Sequence, residues 1–166
     1  MTHCIHCGHT LPEQDPWPKV CIGCRRFNYC SPKPVIALVL HNGQGYLVIQ
    51  RGIEPSKGQW AFPGGYIDHA EDWREAAVRE AREELGIILD PDKIYLRDVV
   101  STPNNFLVLF VGTHEKVPTD WIHHDISSTL NDTGEQEILS INVWDTYQPL
   151  GIRSHNEFFL KLDFAP

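Results

Sequence analysis

Short apolar runs alternate with polar and glycine-rich segments along most of the chain, and this pattern predicts a series of β-strands. The first two runs, residues 35–40 and 46–50, flank the turn residues His41-Asn42-Gly43-Gln44-Gly45 and predict a hairpin. A third run, residues 60–62, predicts a short strand that ends at Pro63-Gly64-Gly65. Three further strands are predicted over residues 94–100, 106–111 and 138–144.

Two helices are predicted among these strands. Residues 72–85 are rich in alanine, glutamate and arginine, and Gly86 follows where a helix end favours a left-handed residue. A closing helix is predicted over residues 154–162. Its inward face contains Phe158, Phe159 and Leu162. The polar segment 112–134 predicts irregular structure that holds a short element or part of a binding site.

The order of these elements predicts an α+β fold in which a mixed sheet lies between helices, as an α/β/α sandwich. The length of 166 residues suits one domain, or one domain with a small appendage, and a content of 42% hydrophobic and 22% charged residues is ordinary for a globular protein. Its formal net charge of −8 disfavours nucleic-acid binding. This charge does not exclude a phosphorylated small molecule that is held by a metal ion.

The first fifteen residues contain no apolar run typical of a secretory signal. The longest apolar run, residues 35–40, is too short to span a bilayer. We therefore expect a cytoplasmic protein without membrane association, whose cysteines stay reduced.

Two C-x-x-C pairs near the amino terminus predict a structural zinc site. Thirteen residues separate the pair Cys4/Cys7 from the pair Cys21/Cys24, and four thiolates at this spacing suit tetrahedral zinc. Gly8 and Gly23 are expected to allow the tight turns. Two disulfides or four reduced thiols are the alternatives. The prolines after Ser31 mark a boundary, which predicts a zinc ribbon at 1–31 and a second domain at 32–166.

Three glutamates crowd the end of the predicted helix 72–85. Glu80, Glu83 and Glu84 share one face, because residues three and four apart lie together on a helix. Their mutual repulsion, and the negative end of the helix dipole, make this arrangement unfavourable unless a cation relieves it. A hard divalent cation such as Mg²⁺ prefers such oxygen ligands. The alternative is a solvated acidic helix face.

The residues around these glutamates follow a longer pattern. The fixed positions are Gly65, Glu71, Arg79, Glu80, Ala81, Glu83, Glu84, Gly86 and Ile87. Their spacing resembles the signature of the Nudix hydrolases, G-x5-E-x7-R-E-U-x-E-E-x-G-U, where U is aliphatic. The resemblance implies hydrolysis of a nucleoside diphosphate linked to another moiety, with Mg²⁺ or Mn²⁺ and water attack, which releases a nucleoside monophosphate.

The resemblance also implies roles for individual residues. The metal ligands would be Glu80 and Glu84, then Glu83, with a main-chain carbonyl of Gly64 or Gly65. Glu71 and Arg79 would orient these ligands. Within the family the general base varies in position, so the catalytic set comprises Arg79, Glu80, Glu83 and Glu137. For Glu137, which precedes the strand predicted at 138–144, a plain strand-end charge is the alternative.

A cysteine ribbon before the domain resembles the zinc-ribbon Nudix group, which includes the NADH pyrophosphatases. The stretches NYCSPKPVIALVL, RGIEPSKGQWAFPGGYID and PLGIRSH are more similar to a smaller class of ADP-ribose and FAD diphosphatases. Residues 101–106 keep only part of the S-Q-P-W-P-F-P motif of the NADH pyrophosphatases. Relatives with this ribbon are often dimers, so a homodimer is possible.

Arg51 and Tyr66 are the candidate substrate-binding residues, since they offer a cation for phosphate and a ring for a base. For Arg51, an ordinary surface ion pair is the alternative. The alternative function is a non-catalytic, nucleotide-sensing binding module. The intact carboxylates and the nearly neutral ribbon weigh against it.

Overall fold

The computed structural model describes residues 2–117, 126, 129–131 and 133–162. The chain forms two compact units, Met1–Pro32 and Lys33–Pro166. Among the described residues, no helix is both long enough and apolar enough to cross a membrane.

The first unit contains two short antiparallel strands, β1 (Lys19–Val20) and β2 (Phe27–Asn28). Its buried core consists of Leu11 and two cysteines, which is too little apolar surface to hold a fold by itself. In each C-x-x-C turn the residue after the second cysteine is left-handed, with φ of 72° at Gly8 and 59° at Arg25. Gly23 itself does not have a positive φ, but a Cβ at this position would lie 3.2 Å from the His9 side chain.

The described residues of the second unit form six strands and two α-helices. The strands are β3 (Lys33–Leu38), β4 (Tyr46–Arg51), β5 (Trp60–Ala61), β6 (Ile94–Ser101), β7 (Phe106–Thr113) and β8 (Ile138–Trp144). The helices are α1 (Trp73–Leu85) and α2 (Arg153–Phe159), with a 3-10 turn at Pro91–Lys93. One sheet has the order β3-β7-β6 and is mixed, since β3 and β7 are parallel while β7 and β6 are antiparallel. The other has the order β5-β4-β8 and is antiparallel.

The predicted hairpin of β3 and β4 was wrong. The two strands are consecutive, but β3 pairs with β7 and β4 pairs with β5 and β8. Their ends are joined by an isolated bridge between His41 and Tyr46 and by hydrogen bonds from Leu47 N to Leu40 O and from Asn42 N to Gly45 O. An apolar strand can bury its side chains beside any of several neighbouring strands. A turn sequence alone therefore does not decide which strands pair.

Strand β3 separates two hydrophobic cores. Ile36 and Leu38 belong to the core that includes α1, whereas Ala37 and Val39 belong to the core that includes α2. This alternation follows from the two-residue period of a strand. It confirms the predicted α+β fold, with helices packed on both sides of the strands.

Helix α1 begins and ends as its sequence predicts. Asp72 is the N-cap, and its side chain and that of Glu75 form a reciprocal capping box. Gly86 ends the helix with a left-handed φ of 67°. The small residues Ala77 and Ala81 are fully buried, which lets α1 approach the strands closely.

The other predicted elements lie within a few residues of their expected positions. Helix α2 buries Phe158 and Phe159, and Leu162 packs partly against the same core. Strand β7 extends into the predicted irregular segment 112–134 as far as Thr113. Residues 118–125, 127–128 and 132 of that segment lie outside the described residues.

Shortening Phe159 should destabilise the second unit strongly. The ring is fully buried and contacts Phe62, Tyr46 and Trp144. Phe159→Ala should lower the free energy of unfolding in urea by about 3–5 kcal/mol, because it leaves a cavity. The neighbouring Leu160→Ala is the control, since Leu160 is 60% exposed. Equal effects of the two substitutions would contradict this packing.

Candidate active site

The glycine loop Pro63-Gly64-Gly65 follows β5 and lies along β3. The Pro63 and Gly65 carbonyls accept hydrogen bonds from the N–H groups of Leu38 and Ile36, each at 2.8 Å. Gly64 has a φ of 133°, and a Cβ there would lie 2.2 Å from the Ile36 carbonyl oxygen. Only glycine fits at this position. Because glycine has no side chain, main-chain atoms form the surface of the loop at this point.

The last turns of α1 bring two carboxylates against this loop. The Gly64 N–H donates to Glu84 Oε2 at 2.6 Å. A Cβ on Gly65 would lie 2.5 Å from Glu80 Oε1. Glu80 and Glu84 are both buried, unlike Glu83, whose side chain is half exposed. The shared helix face is thus partly enclosed by the loop.

Arg79 joins the loop to the carboxylates. Its Nε donates to Glu71 Oε1 at 2.8 Å, and its Nη2 donates to the Tyr66 carbonyl oxygen at 2.8 Å. Its Nη1 donates to Glu80 at 2.7 Å and to Glu83 at 3.2 Å. These hydrogen bonds raise the pKa of Arg79 and, in return, lower the pKa of Glu71. One fixed guanidinium therefore orients three of the acidic side chains.

A cavity of about 390 Å³ lies over this end of α1. Its acidic lining consists of Glu80, Glu83, Glu84 and Glu137. Two hydrogen bonds hold the main chain of Glu137. Its N–H donates to the Thr129 carbonyl oxygen at 2.7 Å, and its carbonyl oxygen accepts from the Gly52 N–H at 2.6 Å. The strand start therefore brings a fourth carboxylate, distant in sequence, to the three glutamates of the helix.

Burial and mutual repulsion disfavour ionisation of the two enclosed carboxylates. Burial is the main reason why the pKa of Glu84 lies well above its ordinary value, and the nearby Glu80 and Glu137 add to the rise. Burial also raises the pKa of Glu80, although Arg79 opposes the shift. A cation in this cavity would therefore be favoured by both groups.

The donor chemistry of this cavity fits a hard divalent cation. Glu80 Oε1 binds Arg79 and Glu84 Oε2 binds Gly64. Among the described residues, no hydrogen-bond partner is found for Glu80 Oε2 or Glu84 Oε1. Neither oxygen is completely buried, so both can be reached from the cavity. Each carboxylate thus keeps one oxygen for a ligand. Among the described residues, only the four cysteines place their ligand atoms within 4.8 Å of one another, so the glutamates are less closely gathered than the cysteines.

A larger cavity of about 810 Å³ shares Gly64 and Gly65 with this site. Arg51 and Tyr66 both line it. Arg51 Nε donates to the Pro55 carbonyl at 2.8 Å, and none of the ion pairs within the described part of the chain includes Arg51. Both predicted substrate-binding residues thus line the larger cavity next to the glycine loop, and neither lines the acidic cavity.

Some residues of the larger cavity were not predicted from the sequence. His155 and Arg153 of α2 line it, as does Phe106 of β7. Phe158 and Phe159 follow His155 by three and four residues, so the three side chains share one face of α2. That face is buried. That spacing was the available signal for a buried histidine.

The four cysteines of the first unit form the tightest group of metal-binding side chains among the residues described. Their sulfurs all lie within 4.8 Å of one another, with 3.6 Å between Cys4 and Cys24 and 3.6 Å between Cys7 and Cys21. This clustering fits the predicted zinc ribbon.

The surroundings shift the pKa values of two of the clustered thiols, Cys4 and Cys7, in opposite directions. Burial opposes ionisation of Cys4, but hydrogen bonds from the backbone of His6 and Cys7 outweigh it and lower its pKa to about 6. A hydrogen bond from the backbone of His9 favours the Cys7 thiolate, but burial and the neighbouring sulfurs raise its pKa to about 12. A bound cation would remove this conflict, because it stabilises several thiolates at once.

Comparison with known proteins matches this architecture to one family. A model described as NUDIX domain matches residues 31–157. An ADP-ribose pyrophosphatase of Methanocaldococcus jannaschii is 36% identical over 76 residues, which cover 46% of this chain and 44% of that protein. The NAD-capped RNA hydrolase NudC of Salmonella paratyphi C is 23% identical over 133 residues, which cover 74% of this chain and 51% of that protein.

The fold is also found among solved structures. A MutT NUDIX hydrolase from Burkholderia pseudomallei superposes with a TM-score of 0.61 at 20% identity, and the match covers 81% of this chain and all of that one. The chain spans about half the length of the two curated relatives named above.

Replacing Glu84 should change how stability depends on pH. Because burial raises its pKa, the folded protein holds this proton more tightly than the unfolded chain. The stability contributed by this group is full below its ordinary pKa and is lost as pH rises through the folded-state pKa. In metal-free buffer, the free energy of unfolding of Glu84→Gln relative to wild type should therefore rise as the pH increases from the ordinary glutamate pKa of 4.5 through the raised folded-state pKa.

Urea titrations across this range would measure the difference. Glutamine retains an acceptor for the Gly64 N–H, so the comparison isolates the charge. Glu54→Gln is the control, because its carboxylate is exposed. Parallel pH curves for wild type and Glu84→Gln would contradict the burial of a carboxylate there.

Proposed function

The chain belongs to the NUDIX domain family, and on this basis we propose that it is a Mg²⁺- or Mn²⁺-dependent pyrophosphohydrolase. It would cleave a nucleoside diphosphate linked to another moiety and release a nucleoside monophosphate. The observation that carries this proposal is the pair of buried carboxylates, Glu80 and Glu84, against a glycine loop that also borders a cavity of about 810 Å³. Such a cavity has room for a nucleoside.

The divalent cation would be held by Glu80 and Glu84, with Glu83 and the main-chain carbonyl of Gly64 as further ligands. When bound, such an ion neutralises the diphosphate and lowers the pKa of a coordinated water. Arg79 would act as a positioning residue, since its hydrogen bonds to Glu80 and Glu83 fix their carboxylates. Glu71 would in turn hold Arg79.

Glu137 is the proposed general base. It lines the same cavity as Glu80 and Glu84, and its charge is close enough to raise the pKa of both. It would take a proton from the attacking water, whose oxygen forms a bond to phosphorus as the bridging P–O bond breaks. Glu83, at the exposed edge of the cavity, is the second candidate for this role.

Arg51 and Tyr66 are proposed to bind the substrate in the larger cavity. The Arg51 guanidinium lies near enough to Glu84 to lower its pKa, so it borders both the acidic site and the larger cavity. A phosphate at that border would meet a cation. The Tyr66 ring lies 6.2 Å from that of Phe106, which gives an aromatic surface for a base.

The proposed substrates are ADP-ribose-like compounds or dinucleotides such as FAD and NADH. The names of the two curated relatives support this chemistry, since both ADP-ribose and an NAD cap contain a diphosphate between two nucleoside or sugar groups. The net charge of −8 still disfavours a long nucleic acid as partner, and NAD-capped RNA is the substrate that would test this expectation.

For the first unit we propose a structural zinc ribbon over residues 1–31, with zinc bound by Cys4, Cys7, Cys21 and Cys24. The clustering of the four sulfurs and the very small apolar core support it. The second domain would then be 32–166. A cytoplasmic location and a homodimer stay predictions.

Hydrolysis of ADP-ribose tests the proposed reaction. With Mg²⁺ or Mn²⁺ the wild type should release AMP, and Glu84→Gln should lower kcat at least about 100-fold because a metal ligand is lost. Glu75→Gln, on the same helix, is the control and should keep full activity, since glutamine also completes a capping box. Chromatography of the products would measure AMP.

Two outcomes would contradict the proposal. One is a wild type that binds ADP-ribose, FAD and NADH but releases no AMP from any of them, which would favour the nucleotide-sensing alternative. The other is an activity that survives both Glu84→Gln and chelation of divalent cations.

Metal analysis tests the zinc ribbon. The purified protein should contain about one zinc ion per chain by mass spectrometry, and Cys21→Ser should lose it, because the Cys21 sulfur belongs to the cluster. Cys30→Ser is the matched control, since Cys30 is exposed and lies outside the cluster. Equal zinc content in the two variants, or a disulfide between clustered cysteines, would contradict the site.

A further inference from the structure

His155 is a buried polar residue of the larger cavity that the proposed reaction does not use. It lies on α2, is 7% exposed and packs near the rings of Phe62 and Phe110, with ring centroids 5.7 and 5.6 Å away. Its Nδ1 lies 3.2 Å from the Phe62 backbone nitrogen. Phe62 immediately precedes the glycine loop, so His155 connects α2 to the start of that loop.

The hydrogen bond to Phe62 determines the tautomer of the ring. A backbone N–H can only donate, so Nδ1 must be the acceptor and the ring proton lies on Nε2. Burial, together with the nearby charge of Arg51, lowers the pKa of His155 to about 3. The ring is therefore neutral around neutral pH and carries a single N–H donor.

The remaining donor opens into the cavity. Among the described residues, no hydrogen-bond partner is found for His155 Nε2. The one buried side-chain polar atom without a partner in that part of the chain is Asn42 Nδ2, so His155 Nε2 keeps contact with solvent. Because His155 lines the larger cavity, that solvent is the cavity interior.

The surrounding wall is suited to a flat, uncharged ring. The rings of Phe62 and Phe110 pack against the imidazole, and Val35, Phe106 and Val108 provide further apolar lining of the same cavity. A neutral donor in apolar surroundings favours an uncharged acceptor. When the two groups meet, their hydrogen bond replaces the hydrogen bonds that the donor and the acceptor each made with water. The ring nitrogens of a nucleobase are acceptors of this kind on a planar apolar body.

We propose that His155 donates its Nε2–H to a ring nitrogen of the nucleobase of a nucleotide bound in the larger cavity. The inference rests on the proposed function, since it assumes that this cavity receives the nucleoside part of the substrate. His155 then determines specificity: it favours bases that present an unprotonated ring nitrogen at that edge. The Phe62 N–H keeps the donor on Nε2 and aimed at the cavity.

Analogues that lack one ring nitrogen test this contact. Calorimetry without divalent cations, which prevents metal-dependent hydrolysis, would compare ADP-ribose with its 1-deaza, 3-deaza and 7-deaza adenine analogues. The wild type should bind one of the three about three- to tenfold more weakly than ADP-ribose, the loss expected for one hydrogen bond. His155→Asn keeps an acceptor for the Phe62 N–H but removes the Nε2 donor, so it should bind all four compounds with similar affinity.

A measurement on the wild type makes the test independent of any variant. In protein labelled with ¹⁵N-histidine, the Nε2 resonance of His155 should shift on binding ADP-ribose and shift less with the deaza analogue that binds weakly. Equal binding of all analogues by the wild type, or the same discrimination in His155→Asn, would overturn the proposal. Discrimination confined to 2′-deoxy or 3′-deoxy ribose analogues would overturn the nucleobase assignment.

Failure of this inference is distinguishable from failure of the proposed reaction. Release of AMP by a wild type that binds every deaza analogue equally would leave the hydrolase proposal intact and overturn the role of His155. Discrimination that depends on His155, in a protein that releases no AMP, would support the base contact and overturn the hydrolase proposal.

Discussion

The hydrogen bonds of Arg79 are the interaction on which the candidate site depends, because they allow several acids to gather at one helix end. The guanidinium contacts Glu71, Glu80, Glu83 and the Tyr66 carbonyl within 3.2 Å. Without this cation the acids would repel one another in a partly buried place. A lysine offers a single charged point, so it could not hold these separate acceptors in fixed directions.

Strand β3 explains why the two cavities are neighbours. Its Ile36 and Leu38 N–H groups hold the glycine loop, whose Gly64 and Gly65 line the larger cavity. The same loop meets Glu84 and Glu80 on the acidic side. A molecule with an apolar part in one cavity would therefore present its next atoms to the carboxylates. This shared wall is the structural basis of the proposed cleavage beside a nucleoside.

The sequence predicted the parts of the molecule that local chemistry decides. Helix α1 has a capping box at Asp72 and a left-handed Gly86, and both signals lie within the helix itself. The glutamate cluster followed from helical spacing, and its family pattern extended it to Glu71 and Arg79. Glu137 was a weaker prediction from its place before β8, and the structure brings it to the same cavity as the helix glutamates.

Features that depend on distant contacts were not predictable in this way. The pairing of β3 with β7 rather than β4 joins residues far apart in the chain, which a turn sequence does not encode. The roles of His155 depend on Phe62, which lies 93 residues away in the chain. The left-handed conformation of Arg25, a residue other than glycine, belongs to the second C-x-x-C turn and was not predicted.

The central claim is that the buried carboxylates at the end of α1 bind a divalent cation. Titration with Mn²⁺, followed by the electron paramagnetic resonance signal of the free ion, tests it most directly, with ADP-ribose absent and then present. We predict saturable binding by the wild type, tighter with nucleotide, and its loss in the double variant Glu80→Gln/Glu84→Gln. Equal Mn²⁺ binding by the wild type and the double variant would contradict the claim.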